Sequence, residues 1–158
     1  MSDLPTIWRG TVLPEWIDHN GHMNAGFYMV AFDDATGPWH DFLGFDTAYR
    51  RAHHRSTFSI EGHLTWDREL REGDPLRMEA QLLGYDDKKT HAFFWLYHDA
   101  EGYLAATHEL LSIHIDLEIR RSAAFPPQIL QRLEEVQQEH DRFGRPEHMA
   151  RVIQTKVL

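Results

Sequence analysis

The stretch Asp18-His19-Asn20-Gly21-His22-Met23-Asn24-Ala25-Gly26-Phe27-Tyr28 constrains the fold of this chain more than any other. It places a glycine turn directly before an amphipathic helix. From Asn24 to about Leu43, Phe27, Ala31, Ala35 and Trp39 fall at i, i+4 spacing, with Tyr28 and Phe32 beside them. The two alanines let such a helix lie close against a sheet, and the stripe is ordinary core packing for a helix wrapped by strands. Asn24 is a good N-cap, because its side-chain oxygen can accept from the first free backbone N–H groups. Those groups and the helix dipole make the helix start electropositive, so a carbonyl oxygen gaining charge is stabilised there. Asp18, turned back by Gly21, can stand beside that carbonyl. Gly37-Pro38 is expected to kink or break the helix near its end.

Around the helix the sequence reads as strands. Ile7 to Leu13 is a first strand stopped by Pro14. Tyr49 to Arg55 is polar and basic and reads as a loop. Phe58 to Trp66, Leu76 to Tyr85, Thr90 to Tyr97 and Tyr103 to Asp116 follow as four strands. Turns at Arg71-Glu72-Gly73-Asp74-Pro75, Asp86-Asp87-Lys88-Lys89 and Asp99-Ala100-Glu101-Gly102 separate them. One strand, one helix and four antiparallel strands predict an α+β fold with a curved sheet around the helix. Phe125-Pro126-Pro127 opens a C-terminal helix over 126–142, with Ile129, Leu130, Leu133 and Val136 on one side, expected to cover the sheet edge.

At 158 residues the chain suits a single domain spanning 1–158. Sixteen basic against 25 acidic residues give a net charge of −9, which argues against nucleic-acid binding. A polyanionic ligand therefore needs a local basic patch. There is no cysteine, so no disulfide framework or thiolate nucleophile is available. No apolar run reaches the length of a membrane span, and Met1-Ser2-Asp3-Leu4-Pro5 lacks the basic and apolar regions of a signal peptide, so a cytoplasmic protein is expected. The 12 histidines are scattered, with no zinc-ligand spacing, and neither a metal nor a cofactor is expected.

Asp18, Gly21-His22-Met23-Asn24, Tyr28, Phe32 and Ala35, in this order and spacing, resemble the signature of hotdog-fold acyl-CoA thioesterases of the 4-hydroxybenzoyl-CoA thioesterase-like family. The resemblance covers nearly the whole chain. It includes Pro14-Glu15-Trp16-Ile17, Arg71-Glu72-Gly73-Asp74 and Ile113-His114-Ile115-Asp116. Pro14-Glu15-Trp16-Ile17-Asp18 and Ile60-Glu61-Gly62-His63 are similar to a narrower group, the betainyl-CoA thioesterases of carnitine catabolism, which in some bacteria are fused to carnitine dehydrogenase.

This resemblance implies a hotdog fold, a homodimer or homotetramer with the site at the seam, and hydrolysis of a small acyl-CoA. It makes Asp18 the nucleophile or general base, two roles the residues leave open. It places the backbone amides of Ala25 and Gly26 at the thioester carbonyl. Many members carry a second Asn where this chain has Ala25, so side-chain contacts are not carried over there. Asp18 also reads as an Asx-turn residue that only shapes the loop. His22 orients Asp18 or the loop, and Asn24 contacts substrate or only caps the helix. Asp33 and Asp34 on the helix are rival carboxylates.

Glu61 and His63, two apart on a strand, share a face and are candidates for the acyl pocket. A trimethylammonium group favours aromatic faces and a carboxylate, for which Trp16, Tyr28, Trp66 and Glu61 are the candidates; the same rings also read as core and seam packing around a pocket for aromatic or short aliphatic acyl groups. Strict alternation turns Trp66 away from Glu61, so that box needs a bulge or a partner chain. Arg50, Arg51 and Arg55 are the candidate contacts for the coenzyme A phosphates, with Lys88-Lys89 and Arg120-Arg121 as other options. The competing functions are a general short-chain or aromatic acyl-CoA thioesterase, hydration or dehydration of acyl thioesters, and a non-catalytic acyl-CoA-binding protein.

Overall fold

The computed structural model describes residues 4–150 and 153. Met1 to Asp3, the start of the stretch read for a signal peptide, lie outside the described residues, as does most of the chain beyond Ala150. The elements run β1 (Thr6–Thr11), α1 (Ala25–Phe42), α2 (Thr47–His53), β2 (Arg55–Trp66), β3 (Pro75–Tyr85), β4 (Lys89–His98), β5 (Leu104–Asp116), β6 (Arg121–Ser122) and α3 (Pro127–His140). The sheet is antiparallel in the order β1-β3-β4-β5-β2, with the short β6 added to β5. It curls around α1 in the hotdog arrangement.

The buried side of α1 is Tyr28, Ala31, Phe32, Ala35 and Trp39. It meets the inner face of the sheet at Met78, Ala80, Leu82, Phe94, Leu96, Ala106 and Leu110, all in one core. Phe32 and Trp39 both set their rings edge-on to Phe94. Contrary to expectation, Gly37-Pro38 does not end the helix, which runs on to Phe42. Pro38 gives no N–H to the Asp34 carbonyl, but both residues are on the exposed side, where water can take that carbonyl. Trp39 holds the last turn by stacking on Phe42 and His140.

The segment read as a loop from Tyr49 is also different: it contains α2. Asp46 caps this helix by accepting from the Tyr49 N–H at 2.7 Å, and His54 ends it in the left-handed region. Tyr49 is buried, and its hydroxyl meets His114 Nε2 at 2.9 Å. One buried aromatic and one cap suffice against a polar, basic composition.

α3 covers the edge expected of it. β1 leaves β3 beyond the Thr6–Glu79 pair. Past that point the Leu82 N–H donates to His140 Nδ1 at 2.9 Å, and the Gln81 amide donates to the His140 and Gly144 carbonyls. The opposite edge is different. β2 is 12 residues long and pairs only with β5 among the described residues, leaving Phe58, Ile60 and Trp66 exposed along it.

Candidate active site

The loop before α1 is a closed, hydrogen-bonded turn. Ile17 bridges Met23, the Asp18 N–H donates to the His22 carbonyl, and the Gly21 N–H donates back to the Asp18 carbonyl. Gly21 sits at φ +78°, a conformation that suits glycine. The Met23 N–H donates to Leu70 at 2.7 Å and the Asn24 N–H to Trp16 at 2.9 Å, so the turn is clamped to the core at both ends.

This turn fixes the Asp18 carboxylate. One oxygen accepts from the Asn20 N–H at 2.8 Å and the other from Asn24 Nδ2 at 3.2 Å. The Asx turn anticipated for Asp18 is therefore present, and it aims the second oxygen at the helix start. Asn24 serves both sides: its Nδ2 holds Asp18 while its Oδ1 caps α1 by accepting from Gly26 at 2.9 Å. The Asn20 amide, then the Asn24 side chain and the charges of His22 and His19, hold the Asp18 carboxyl below its ordinary value, so it is ionised at neutral pH.

The two helix-start amides differ. Gly26 N–H is already taken by Asn24 Oδ1 and Phe27 N–H by the Asn24 carbonyl. Ala25 N–H has no partner among the described residues, so it is the amide free to polarise a carbonyl.

Ala25 lines a cleft of about 250 Å³ together with His22, Tyr28, Trp66, Asp67 and Glu69. Tyr28 is buried, and that burial pushes its phenol up to about 12, so it stays neutral. Trp66 is 54% exposed and forms an open aromatic wall. His22 donates through Nδ1 to the Met23 carbonyl at 3.2 Å. Arg68, which also lines the cleft, lies over the Tyr103 ring at 3.9 Å. Asp67, Arg68 and Glu69 were not singled out from sequence. The signal available was Leu70, an isolated apolar residue in a charged run, which is fully buried and whose carbonyl anchors Met23.

Other sequence candidates are placed elsewhere. Trp16 is only 7% exposed and stacks on Phe27 at 5.8 Å, so it packs in the core behind the loop. Glu61 and His63 pair with Leu111 and Glu109. They line a separate cavity of about 510 Å³ with His91 and Glu109, on the sheet face turned away from α1. A register shift in β2 lies between Ser59 and Glu61, upstream of the span that would have to bulge to bring Glu61 beside Trp66. Asp33 and Asp34 are exposed on α1, beyond the turn that carries Ala25.

Arg50 and Arg51 lie on α2 and Arg55 opens β2. Arg50 approaches Asp41 at 3.7 Å, and Arg55 pairs with Asp116. Arg55 and Trp66 stand at opposite ends of β2, roughly 35 Å apart along a strand of this length. Several histidines are held by the fold. His114 sits between the Tyr49 hydroxyl and the Ala123 carbonyl, and His140 caps Leu82. His108 lies between the rings of Phe32 and Phe94.

A family model for the thioesterase-like superfamily matches residues 12–133. A betainyl-CoA thioesterase of Pseudomonas aeruginosa is 37% identical over 97% of this chain and 96% of its own length. A fused L-carnitine dehydrogenase/betainyl-CoA thioesterase of Agrobacterium fabrum is 34% identical over 75% of this chain, which spans only 24% of that longer protein. Among solved structures, a hypothetical protein of Staphylococcus aureus in complex with CoA superposes with a TM-score of 0.88 at 27% identity, covering 99% of both chains. A putative thioesterase of Pseudomonas putida superposes with a TM-score of 0.85 at 28% identity, over 99% of this chain and 100% of the other. The chain belongs to the thioesterase-like superfamily.

Proposed function

We propose that this protein hydrolyses a small acyl-CoA thioester to the free acid and coenzyme A, with betainyl-CoA as the substrate. The observation that carries this reading is Asn24, which ties the ionised Asp18 carboxylate to the start of α1. In this reading the thioester carbonyl oxygen sits on the Ala25 N–H. Asp18 takes a proton from water as it attacks, or adds to the carbonyl carbon itself. The carbonyl electron pair moves onto the oxygen held at the helix start. Its return breaks the C–S bond and releases the thiolate, which takes up a proton; where Asp18 itself has added, water then hydrolyses the mixed anhydride, freeing the acid and restoring the carboxylate. Similarity to the betainyl-CoA thioesterase of P. aeruginosa supports the acyl group, and the CoA complex of the S. aureus protein supports the carrier. An acyl-CoA substrate also fits a cytoplasmic enzyme.

The free edge of β2 supports a homodimer. A long strand with exposed Phe58, Ile60 and Trp66 invites pairing with its own copy. Antiparallel self-pairing about the strand's middle sets Trp66 beside Arg55 of the partner subunit. The α2 arginines would then reach the cleft from the second chain, the side from which coenzyme A phosphates need a basic partner. Free-thiol release across a panel of acyl-CoA esters tests the activity. No thiol from any ester would favour a non-catalytic acyl-CoA-binding protein. Sedimentation tests the assembly, and a stable, active monomer would contradict it.

A further inference from the structure

The cleft carries three charged side chains in sequence, Asp67, Arg68 and Glu69, and they are not equivalent. Asp67 is drawn back along the sheet: one oxygen accepts from Thr65 Oγ1 at 3.2 Å, and Thr65 in turn meets the buried Thr107 hydroxyl. Arg68 is drawn aside over the Tyr103 ring. Glu69 lines the cleft beside them, with no bond from its carboxylate to the sheet among the described residues. Its backbone carbonyl accepts from the Tyr103 hydroxyl at 3.0 Å, which fixes the segment. Glu69 lines the same cleft as His22, Tyr28 and Trp66, and its negative charge helps to keep the Tyr28 phenol protonated. Its ion pair with Arg71, 2.9 Å long, lies in the open with side chains 51% and 73% exposed, and such pairs are weak.

We propose that Glu69, facing the walls formed by Tyr28 and Trp66, is the residue that makes this cleft select a positively charged acyl group. This rests on the acyl-CoA hydrolysis proposed above. The chemistry is that of quaternary ammonium recognition. Aromatic faces attract the methyl-sheathed cation through their quadrupole, and a carboxylate nearby adds a charge that needs no direct hydrogen bond. The acyl group of betainyl-CoA is short, so its cation lies within a few bonds of the carbonyl at Ala25, in the same cleft. Glu61, the carboxylate suggested by the sequence, is on the far face of the sheet.

The test compares betainyl-CoA with its neutral isostere tert-butylacetyl-CoA, reading kcat/KM for each by free-thiol release. The wild-type protein is expected to favour the cation. In Glu69→Gln the ratio should fall about tenfold, through the betainyl ester, with the neutral ester changed less than about twofold. Glu69→Lys should lower the ratio further. Because Glu69 is half-exposed, the fold withstands both changes, and circular dichroism checks this. A wild-type preference that survives in both variants overturns the role of Glu69 alone. A wild-type protein that hydrolyses the neutral ester as well as betainyl-CoA overturns the cationic substrate too, and no thiol from either ester overturns the hydrolytic reading beneath both.

Discussion

Two concavities lie on opposite sides of the same strand. The cavity outside the sheet is about 510 Å³ and holds Glu61, His63, His91 and Glu109. The cleft on the α1 side is about 250 Å³. Each has carboxylates and imidazoles, so size and residue type alone favour the larger one. What differs is what the charges point at. In the outer cavity Glu109 is consumed by His91 at 2.8 Å and by the Ala150 N–H at 2.7 Å. Beside the inner cleft Asp18 is bonded through Asn24 to a helix start whose Ala25 N–H has no partner among the described residues. A carboxylate aligned with a carbonyl-polarising amide is a reactive arrangement, whereas a carboxylate hydrogen-bonded to an imidazole on a sheet face is not. β2 feeds both sides, turning Trp66 inward while Glu61 and His63 turn outward.

The wall between the two regions offers the strongest ways to disturb them. His108 packs beneath β2 at Gly62, 2% exposed, with Nδ1 unbonded among the described residues. Burial pushes its imidazole down to about 4. The folded state therefore binds this proton less readily than the unfolded chain, whose pKa is near 6.5. The stability from keeping His108 neutral is whole above about pH 6.5 and is lost as pH falls towards 4, by on the order of 3 kcal/mol. Burial lowers His40, His114 and His140 in the same direction. Denaturant melts should show this fall between pH 6.5 and 4, and a His108→Asn variant should show a flatter profile over that window.

Gly62→Ala acts on the same wall. A Cβ there would lie 2.7 Å from His108 Nε2, in a ring held by Phe32 and Phe94. A loss of about 1–3 kcal/mol is expected in thermal unfolding. Asn24→Ala should cost about 1 kcal/mol through the lost cap. It also removes a donor from Asp18, so the acidic limb of kcat/KM should move to higher pH. Glu61→Gln with His63→Gln should leave thiol release within about twofold of wild type. A large loss in that pair would move the chemistry to the outer cavity.

The sheet, α1 and α3 were legible because their apolar periods are long and their turns carry glycine, proline or, at Asp86-Asp87, paired aspartates. The Asn24 cap and the Asp18 turn were also legible, since both depend on local hydrogen bonds. α2 was not, because its one buried anchor, Tyr49, pairs with His114, 65 residues away. The pleat already set Glu61 against Trp66, and the irregularity at Ile60 falls too early to reverse that. Trp16 read either as a pocket wall or as core packing, and it packs on Phe27. Glu69 was hidden in a charged run, since that run is brought to the helix start by long-range contacts, from Met23 to the Leu70 carbonyl and from the Tyr28 hydroxyl to the Arg68 carbonyl.

Asp18, at the start of α1, drives the reaction proposed above. The measurement is thiol release by Asp18→Asn beside Asp34→Asn, with circular dichroism confirming both folds. Asparagine keeps the shape and the turn but removes both the base and the nucleophile. A loss of at least ~10²-fold is expected in Asp18→Asn and a near-wild-type rate in Asp34→Asn. A near-wild-type rate in Asp18→Asn, with the loss appearing in Asp34→Asn, would contradict it.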